Sequence, residues 1–164
     1  MKRVIAVSDS HGAVDALRQT FAYARQNGPI DVAVFLGDGD SDFQTVRPEL
    51  EAQGTRCYAV AGNNDWRSAE PQEQVVTVGG VRFYLCHGHT RYVKYGLDRL
   101  WFAAREHEAQ VALYGHTHSA DLALEYGMCM INPGAVCDGR PGRAAYAEIR
   151  VEDTGFVNPK IVRW

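Results

Sequence analysis

The chain predicts an α/β fold in which two mixed sheets carry helices on their outer faces. Three observations lead there. The first half alternates apolar strand-like runs with amphipathic helical stretches, and a β-α-β-α-β order favours a parallel core. The second half is mostly strand-turn-strand, which predicts antiparallel pairing in that part. A length of 164 residues, with 46% hydrophobic and 23% charged content, suits one globular domain spanning residues 1–164.

The elements follow in order. Residues 3–7 read as a short buried strand. Residues 13–27 read as a helix, with Val14, Leu17, Phe21 and Ala24 on one face at helical spacing. Gly28-Pro29 stops it. A second strand is expected at 31–36, then a polar loop, a short helix around 48–53, and a third strand at 55–61. Two apolar runs, 74–78 and 81–86, flank Gly79-Gly80 and read as a hairpin. Leu97, Leu100, Trp101 and Ala104 mark another amphipathic helix, followed by a strand at 111–114. Further strands are expected at 128–131 and 143–151. In the latter, Ala145, Ala147, Ile149 and Val151 alternate with Tyr146, Glu148 and Arg150. Asp153-Thr154-Gly155 turns the chain into a last strand, where Pro159 suggests a sheet edge. No repeat, low-complexity tract or linker interrupts the pattern.

Charge narrows the function. A net charge of −3 and a pI near 6.0 argue against a polynucleotide partner, which needs a basic face. A small phosphorylated ligand remains compatible. Lys2 and Arg3 precede an apolar stretch, but residues 4–7 are too few for the core of a signal peptide. No apolar run approaches a membrane span, so no membrane partner is expected. Cys57, Cys86, Cys129 and Cys137 form no C-x-x-C pair and sit in or near apolar segments. They read as reduced, buried thiols, and a cytoplasmic location follows as the expectation.

The reactive side chains collect at strand ends. Of six histidines, only His107 lies inside a helical pattern. S-D-S-H-G, with Asp9 and His11, follows the first strand. G-D-G-D-S-D, with Asp38, Asp40 and Asp42, follows the second. G-N-N-D, with Asn63, Asn64 and Asp65, follows the third. H-G-H, with His87 and His89, follows the hairpin, and G-H-T-H, with His116 and His118, follows the strand at 111–114. Open α/β sheets bind ligands outside the carboxyl ends of their strands. Carboxylates, an amide and imidazoles would therefore share one crevice. That donor set, without thiolate, suits Mn²⁺, Fe, Ni²⁺ or Zn²⁺. Asp-x-His and His-x-His would place two side chains on the same side of an extended segment. The groups exceed what one tetrahedral zinc needs, which favours two ions. Two ions about 3.5–4 Å apart can hold a hydroxide and stabilise an in-line displacement at phosphorus.

Plainer readings exist for each motif. Asp9 or Asp38 after a strand can be a helix N-cap. G-N-N-D alone is a turn sequence, and one His-x-His arises by chance as readily as for a metal. These readings do not account for five polar loops at five strand ends. Asp38, Asp40, Asp42 and Glu49 have the carboxylate spacing of a calcium loop. But Phe43 stands where the turn needs glycine, Pro48 adjoins the closing Glu49, and a strand precedes, so that reading fails. Asp40 and Asp42 then read as a solvated or supporting face.

D-S-H at 9–11, G-D at 37–38, G-N-N-D at 62–65, H-G-H at 87–89, G-H-T-H at 115–118 and N-P-G at 132–134 resemble the motifs of the calcineurin-like metallophosphoesterases. The likeness is greatest to their small single-domain bacterial and archaeal phosphodiesterases. It implies a four-layer α-β-β-α sandwich of two mixed sheets flanked by helices. It also implies a dinuclear metal site, with manganese the leading cofactor and iron, nickel or zinc alternatives. By motif, Asp9, His11 and His118 would hold one ion, Asn63, His87 and His116 the second, and Asp38 would bridge them. His89 would hold a ligand or contact substrate. The expected reaction is hydrolysis of a small phosphodiester, with phosphomonoester hydrolysis the nearest alternative. Relatives often pair, so a homodimer is implied.

Two positions depart from the family pattern. Many larger relatives carry a histidine where this chain has Asn64, and an amide cannot exchange a proton near neutral pH. The general acid is thereby unassigned. N-P-G-A replaces the frequent N-P-G-S, with Ala135 lacking the hydroxyl, and the segment is expected to act as a turn that buttresses the metal loops. The same fold serves in the retromer coat as a protein-binding subunit with a degraded site, but no ligand position is lost here. Arg67, Arg91 and Lys94 lie near the motif loops, too few for a polynucleotide groove. Trp66, Tyr92 and Tyr95 can be base-stacking residues, core residues or an oligomer contact.

Overall fold

The computed structural model describes residues 1–137 and 144–164. Its elements are β1 (Lys2–Val7), α1 (Val14–Arg25), β2 (Val32–Phe35), α2 (Asp40–Ala52), β3 (Arg56–Ala59), β4 (Glu73–Val78), β5 (Val81–Cys86), α3 (Asp98–Glu106), β6 (Val111–Leu113), β7 (Asp121–Glu125), β8 (Met128–Asn132), β9 (Ala145–Val151) and β10 (Val157–Arg163). Two five-stranded sheets form, in the orders β10-β9-β1-β2-β3 and β4-β5-β6-β8-β7.

Strand periodicity builds the layers. In β1, Val4 and Ala6 face the second sheet, packing with Val34, Phe83, Leu85, Leu113 and Ile149. Ile5 and Val7 face the other way, against Leu17 and Phe21 of α1 and Phe43 and Leu50 of α2. A strand covered on both faces reads as a continuous apolar run, as V-I-A-V does. The second sheet repeats this, with Tyr84, Ala112 and Met130 packing on Leu100 and Ala104 of α3. Helices, sheet, sheet, helix: the α/β sandwich has the four layers expected.

The termini of the first sheet are fixed by a buried ion pair. The Arg3 guanidinium meets Glu148 across β1 and β9 at 2.5 Å, with both side chains almost fully buried. It also donates to the carbonyls of Ala24 at 2.6 Å and Gly28 at 2.9 Å, closing the end of α1. A cation is favoured there by the carbonyls a helix leaves free.

The structure corrects three expectations and bears out two others. The second half is not purely antiparallel, since β5, β6 and β8 pair in parallel. The reason is α3, whose crossover from β5 to β6 imposes the same connection as in the first half. α2 runs from Asp40 to Ala52 rather than only near 48–53. Phe43, Val46 and Leu50 form its buried stripe, and Pro48 sits on the exposed side, where water can take the carbonyl it leaves free. β7 was not anticipated. It is an edge strand whose leucines stay exposed, so it lacks the one-sided burial that marks a strand. The expected strand at 143–151 is found as β9, and Arg143 lies outside the described residues. β10, with Pro159, is the edge strand predicted.

Candidate metal centre

The carboxyl ends of β1, β2, β3, β5 and β6 open toward one crevice, and each is followed by a tight loop. Asp9, His11, Asp38, His116 and His118 all have positive φ, between 45° and 71°. Such backbone costs on the order of 1–3 kcal/mol per residue and persists where its surroundings over-determine it. They do so here. Asp9 N donates to Gly37 O at 2.9 Å, His11 N to Asp38 O at 3.1 Å, and Gly115 N to His87 O at 2.8 Å. This overturns the extended-segment argument. The paired side chains of D-S-H and H-T-H come from left-handed turns, and His116 and His118 part company to different clusters. Neither Asp9 nor Asp38 is an N-cap, since Ala13 and Gly39 hold those positions.

Two groups of ligating atoms result, Asp9 with His11 and His118, and Asp38 with His87 and His116. In the first, Asp9 Oδ1 lies 3.4 Å from His11 Nε2 and 3.2 Å from His118 Nε2. The two imidazole nitrogens are 3.1 Å apart. Those edges match the roughly 3.0–3.4 Å that separates neighbouring ligands when each bond to an ion is about 2.1 Å. In the second, Asp38 Oδ2 is 3.3 Å from His87 Nε2. The same oxygen is 4.0 Å from His11 Nε2, and Asp9 Oδ1 is 3.9 Å from His87 Nε2, so both carboxylates reach toward both groups. Asp9 Oδ1 and His87 Nε2 are buried with no hydrogen-bond partner among the described residues. Burying such atoms unpaired is costly, and a divalent ion in each group answers that cost. The residues fit the metal. Asn63, exposed, neighbours the crevice through Asn64.

Supporting groups set the ligands. His87 Nδ1 donates to Leu36 O at 2.6 Å, which leaves Nε2 as the lone pair facing the crevice. Asp9 Oδ2 accepts from His116 N at 3.1 Å. Asn64 donates to Asp38 twice, from its backbone N at 2.9 Å and its side-chain Nδ2 at 2.8 Å. Asp65 accepts from the backbone N–H of Asp38, Gly39, Asp40 and Gly62, stapling G-N-N-D to the start of α2. Of the two readings of Asp42, solvated or supporting, the structure shows the supporting one. Asp42 is buried and accepts from Ser10 Oγ at 2.6 Å and Gly12 N at 2.8 Å. Asn132 donates to Gly115 O and Thr117 Oγ1, so N-P-G does buttress the G-H-T-H loop. The sequence signal for Asp65 and Asp42 was an acid three residues beyond a glycine, which is common in turns.

Two glycines are required by space. A Cβ on Gly62 would lie 2.1 Å from Asp38 Oδ1, and one on Gly115 2.8 Å from Asp9 Oδ2. Gly62 thus lets two loops approach, rather than bending the chain off β3.

Charge follows the geometry. Burial opposes ionisation of Asp38, but the closeness of the His87 imidazole and hydrogen bonds from Asn64 outweigh it and hold the carboxyl well below its usual range. Burial also opposes charge on His87, yet Asp38 and Asp9 raise its pKa above the ordinary value. Burial, then the nearby charges of His87 and Lys94, push His116 down to about 4. His89 borders the site, its ring 5.5 Å from that of His87, and burial with the His87 charge lowers its pKa.

Around the crevice, Trp66, Tyr92 and Tyr95 are all exposed, which removes the core reading. The Arg99 guanidinium covers one face of Tyr92 at 4.4 Å. Arg91 is engaged by Glu73 and Tyr84. Lys94 and Arg67 make no ion pair among the described residues.

Comparison with known proteins agrees with this geometry. The profile of the calcineurin-like phosphoesterase superfamily domain matches residues 1–154. The probable metallophosphoesterase YsnB of Bacillus subtilis is 34% identical over 152 residues, covering 92% of this chain and 85% of its own. Phosphodiesterase MJ0936 of Methanocaldococcus jannaschii is 26% identical over 145 residues, covering 80% and 82%. A predicted phosphoesterase from Streptococcus pneumoniae superposes with a TM-score of 0.74 at 22% identity, over 99% of this chain and 98% of that one. Vps29 of Entamoeba histolytica, complexed with zinc, does so with 0.73 at 19%, over 98% of each. At those identities the solved structures speak for the fold alone. Profile, relatives and fold agree, and the chain belongs to the calcineurin-like phosphoesterase superfamily.

Proposed function

We propose that the protein is a metal-dependent phosphoesterase whose preferred substrate is a small phosphodiester. The observation that carries this is the pair of carboxylate–imidazole groups, with Asp9 Oδ1 and His87 Nε2 buried and unpartnered among the described residues. Asp9, His11 and His118 would hold one divalent ion, Asn63, His87 and His116 the other, and Asp38 both. Manganese is the proposed metal; iron, nickel and zinc suit the same donors. When bound, such ions lower the pKa of water and neutralise phosphoryl oxygens.

The chain's own residues do the rest. Asn64 fixes both oxygens of Asp38, and the Leu36 carbonyl fixes the His87 tautomer. His89, beside His87, would bind a phosphoryl oxygen through an imidazole N–H. Asn64 has no proton to give, so esters with good leaving groups should react fastest. The four cysteines are free thiols, which supports the cytoplasmic placement. A homodimer is part of the same proposal.

The test is turnover of an activated aryl phosphodiester and an aryl phosphomonoester, after EDTA treatment and after Mn²⁺ is restored. Metal-dependent diester cleavage is expected. Faster monoester cleavage would make the protein a phosphatase, and no metal-dependent turnover of either would end the hydrolase reading. Asp38→Asn is expected to lower kcat/KM by more than the roughly 10- to 100-fold that losing an outer partner of a metal ligand costs. It is also expected to lower bound metal. A protein-binding scaffold would be indifferent to that change.

A further inference from the structure

Beside the candidate metal centre lies a surface cavity of about 420 Å³, lined by Asp40 and Ser41 of α2 and by residues 64–68, Trp66 among them. Asn64 is the wall it shares with the centre, because its side chain holds Asp38. Trp66 is 89% exposed, an unusual state for the largest side chain. It is also not free to swing, since its Nε1 donates to Asn63 O at 2.8 Å. An indole pinned by its only polar atom, with its π face open, is a stacking platform that has already lost its rotamer freedom.

Among the described residues, Arg67 is the one cation in the cavity's lining, set against the carboxylates of Asp40 and Asp65, so the cavity does not suit an anion. α2 begins there, but Asp65 already caps its first N–H groups and adds negative charge. What remains is the open indole face with hydroxyl, amide, carboxylate and guanidinium groups around it. That combination accepts a flat heteroaromatic ring with hydrogen-bonding edges. The neighbouring aromatics serve less well, because Arg99 covers Tyr92 and no hydrogen bond to the Tyr95 side chain exists among the described residues.

We infer that Trp66 is a base-stacking residue that makes the protein select phosphodiesters carrying a nucleobase. The inference rests on the phosphoesterase reading for the position of the phosphate, and it names the substrate class as a nucleoside-bearing diester. The net charge of −3 favours a single nucleotide unit over a polynucleotide.

Two measurements test it on the Mn²⁺-loaded protein. Calorimetric titration compares adenosine 5′-monophosphate with ribose 5-phosphate, which differ by the base. Hydrolysis compares thymidine 5′-(p-nitrophenyl phosphate) with methyl p-nitrophenyl phosphate, which share a leaving group. Base stacking on an aromatic residue predicts a preference of about 5- to 150-fold for the base-bearing member of each pair. Trp66→Ala should abolish most of that preference, and Trp66→Phe should keep most of it. Equal affinity for the two monophosphates in the unaltered protein would overturn the inference, as would a preference that survives Trp66→Ala. Absence of hydrolysis on both esters would instead count against the phosphoesterase reading, while the titration still decides the role of Trp66.

Discussion

Asn64 donates to Asp38 from both its backbone and its side chain, at 2.9 and 2.8 Å. Its role is therefore to orient and to hold the charge of a carboxylate that reaches toward both ligand groups. Asn64→Ala keeps the backbone donor and removes the other. About a 10-fold loss in Mn²⁺ affinity is expected, the lower end for a supporting partner of a metal ligand. Titration of metal-free protein with Mn²⁺ measures it, and an unchanged affinity would remove Asn64 from the site. At this scale the sequence showed the donor types plainly, since imidazole, carboxylate and amide are chemical facts of each residue. It did not show Asp65, whose partners at the start of α2 lie 25–27 positions away, or Asp42, whose partners lie 30–32 away. A hydrogen bond across that distance has no local pattern.

Elements were legible where burial is one-sided or complete. β5 stands as read at 81–86, and α1 differs by one or two residues at its ends. α2 was underestimated because Pro48 suggested a start rather than an interior position. The Arg3–Glu148 pair, which joins β1, β9 and the end of α1, carries the prediction at this scale. Burial raises the pKa of Glu148, but hydrogen bonds from Lys160 and Arg3 more than offset it and leave the value below the ordinary 4.5. A carboxyl lowered on folding contributes stability above its unfolded pKa and loses it as pH falls through the folded value. Urea stability should therefore decline below about pH 4.5. Arg3→Met should cost about 3 kcal/mol at neutral pH by leaving Glu148 buried with only its exposed partners. It should also flatten the acid decline. Equal urea midpoints would show that Lys160 and Arg150 already compensate.

For the whole molecule, ligands from both sheets meet at one edge, so an ion that binds them ties the sheets together. Mn²⁺ at about 100-fold over its Kd should add about 2.7 kcal/mol of stability, seen as a rise in Tm that EDTA reverses. Imidazoles bind metal only when neutral, so the Tm gain should shrink as pH falls below about 6.5. A gain that is independent of pH would place the ion on carboxylates elsewhere. The sequence by itself determined the strand runs, the layers implied by their burial, and which side chains follow each strand. All of these depend on neighbours a few positions apart. The family resemblance implied which imidazole joins which carboxylate; only the tertiary structure decided how closely they approach, that the ligand loops turn left-handed, and that Gly62 is there for space. Those outcomes depend on contacts between loops up to 107 positions apart, as for His11 and His118. Such contacts form only once both sheets have packed, and no local periodicity records them.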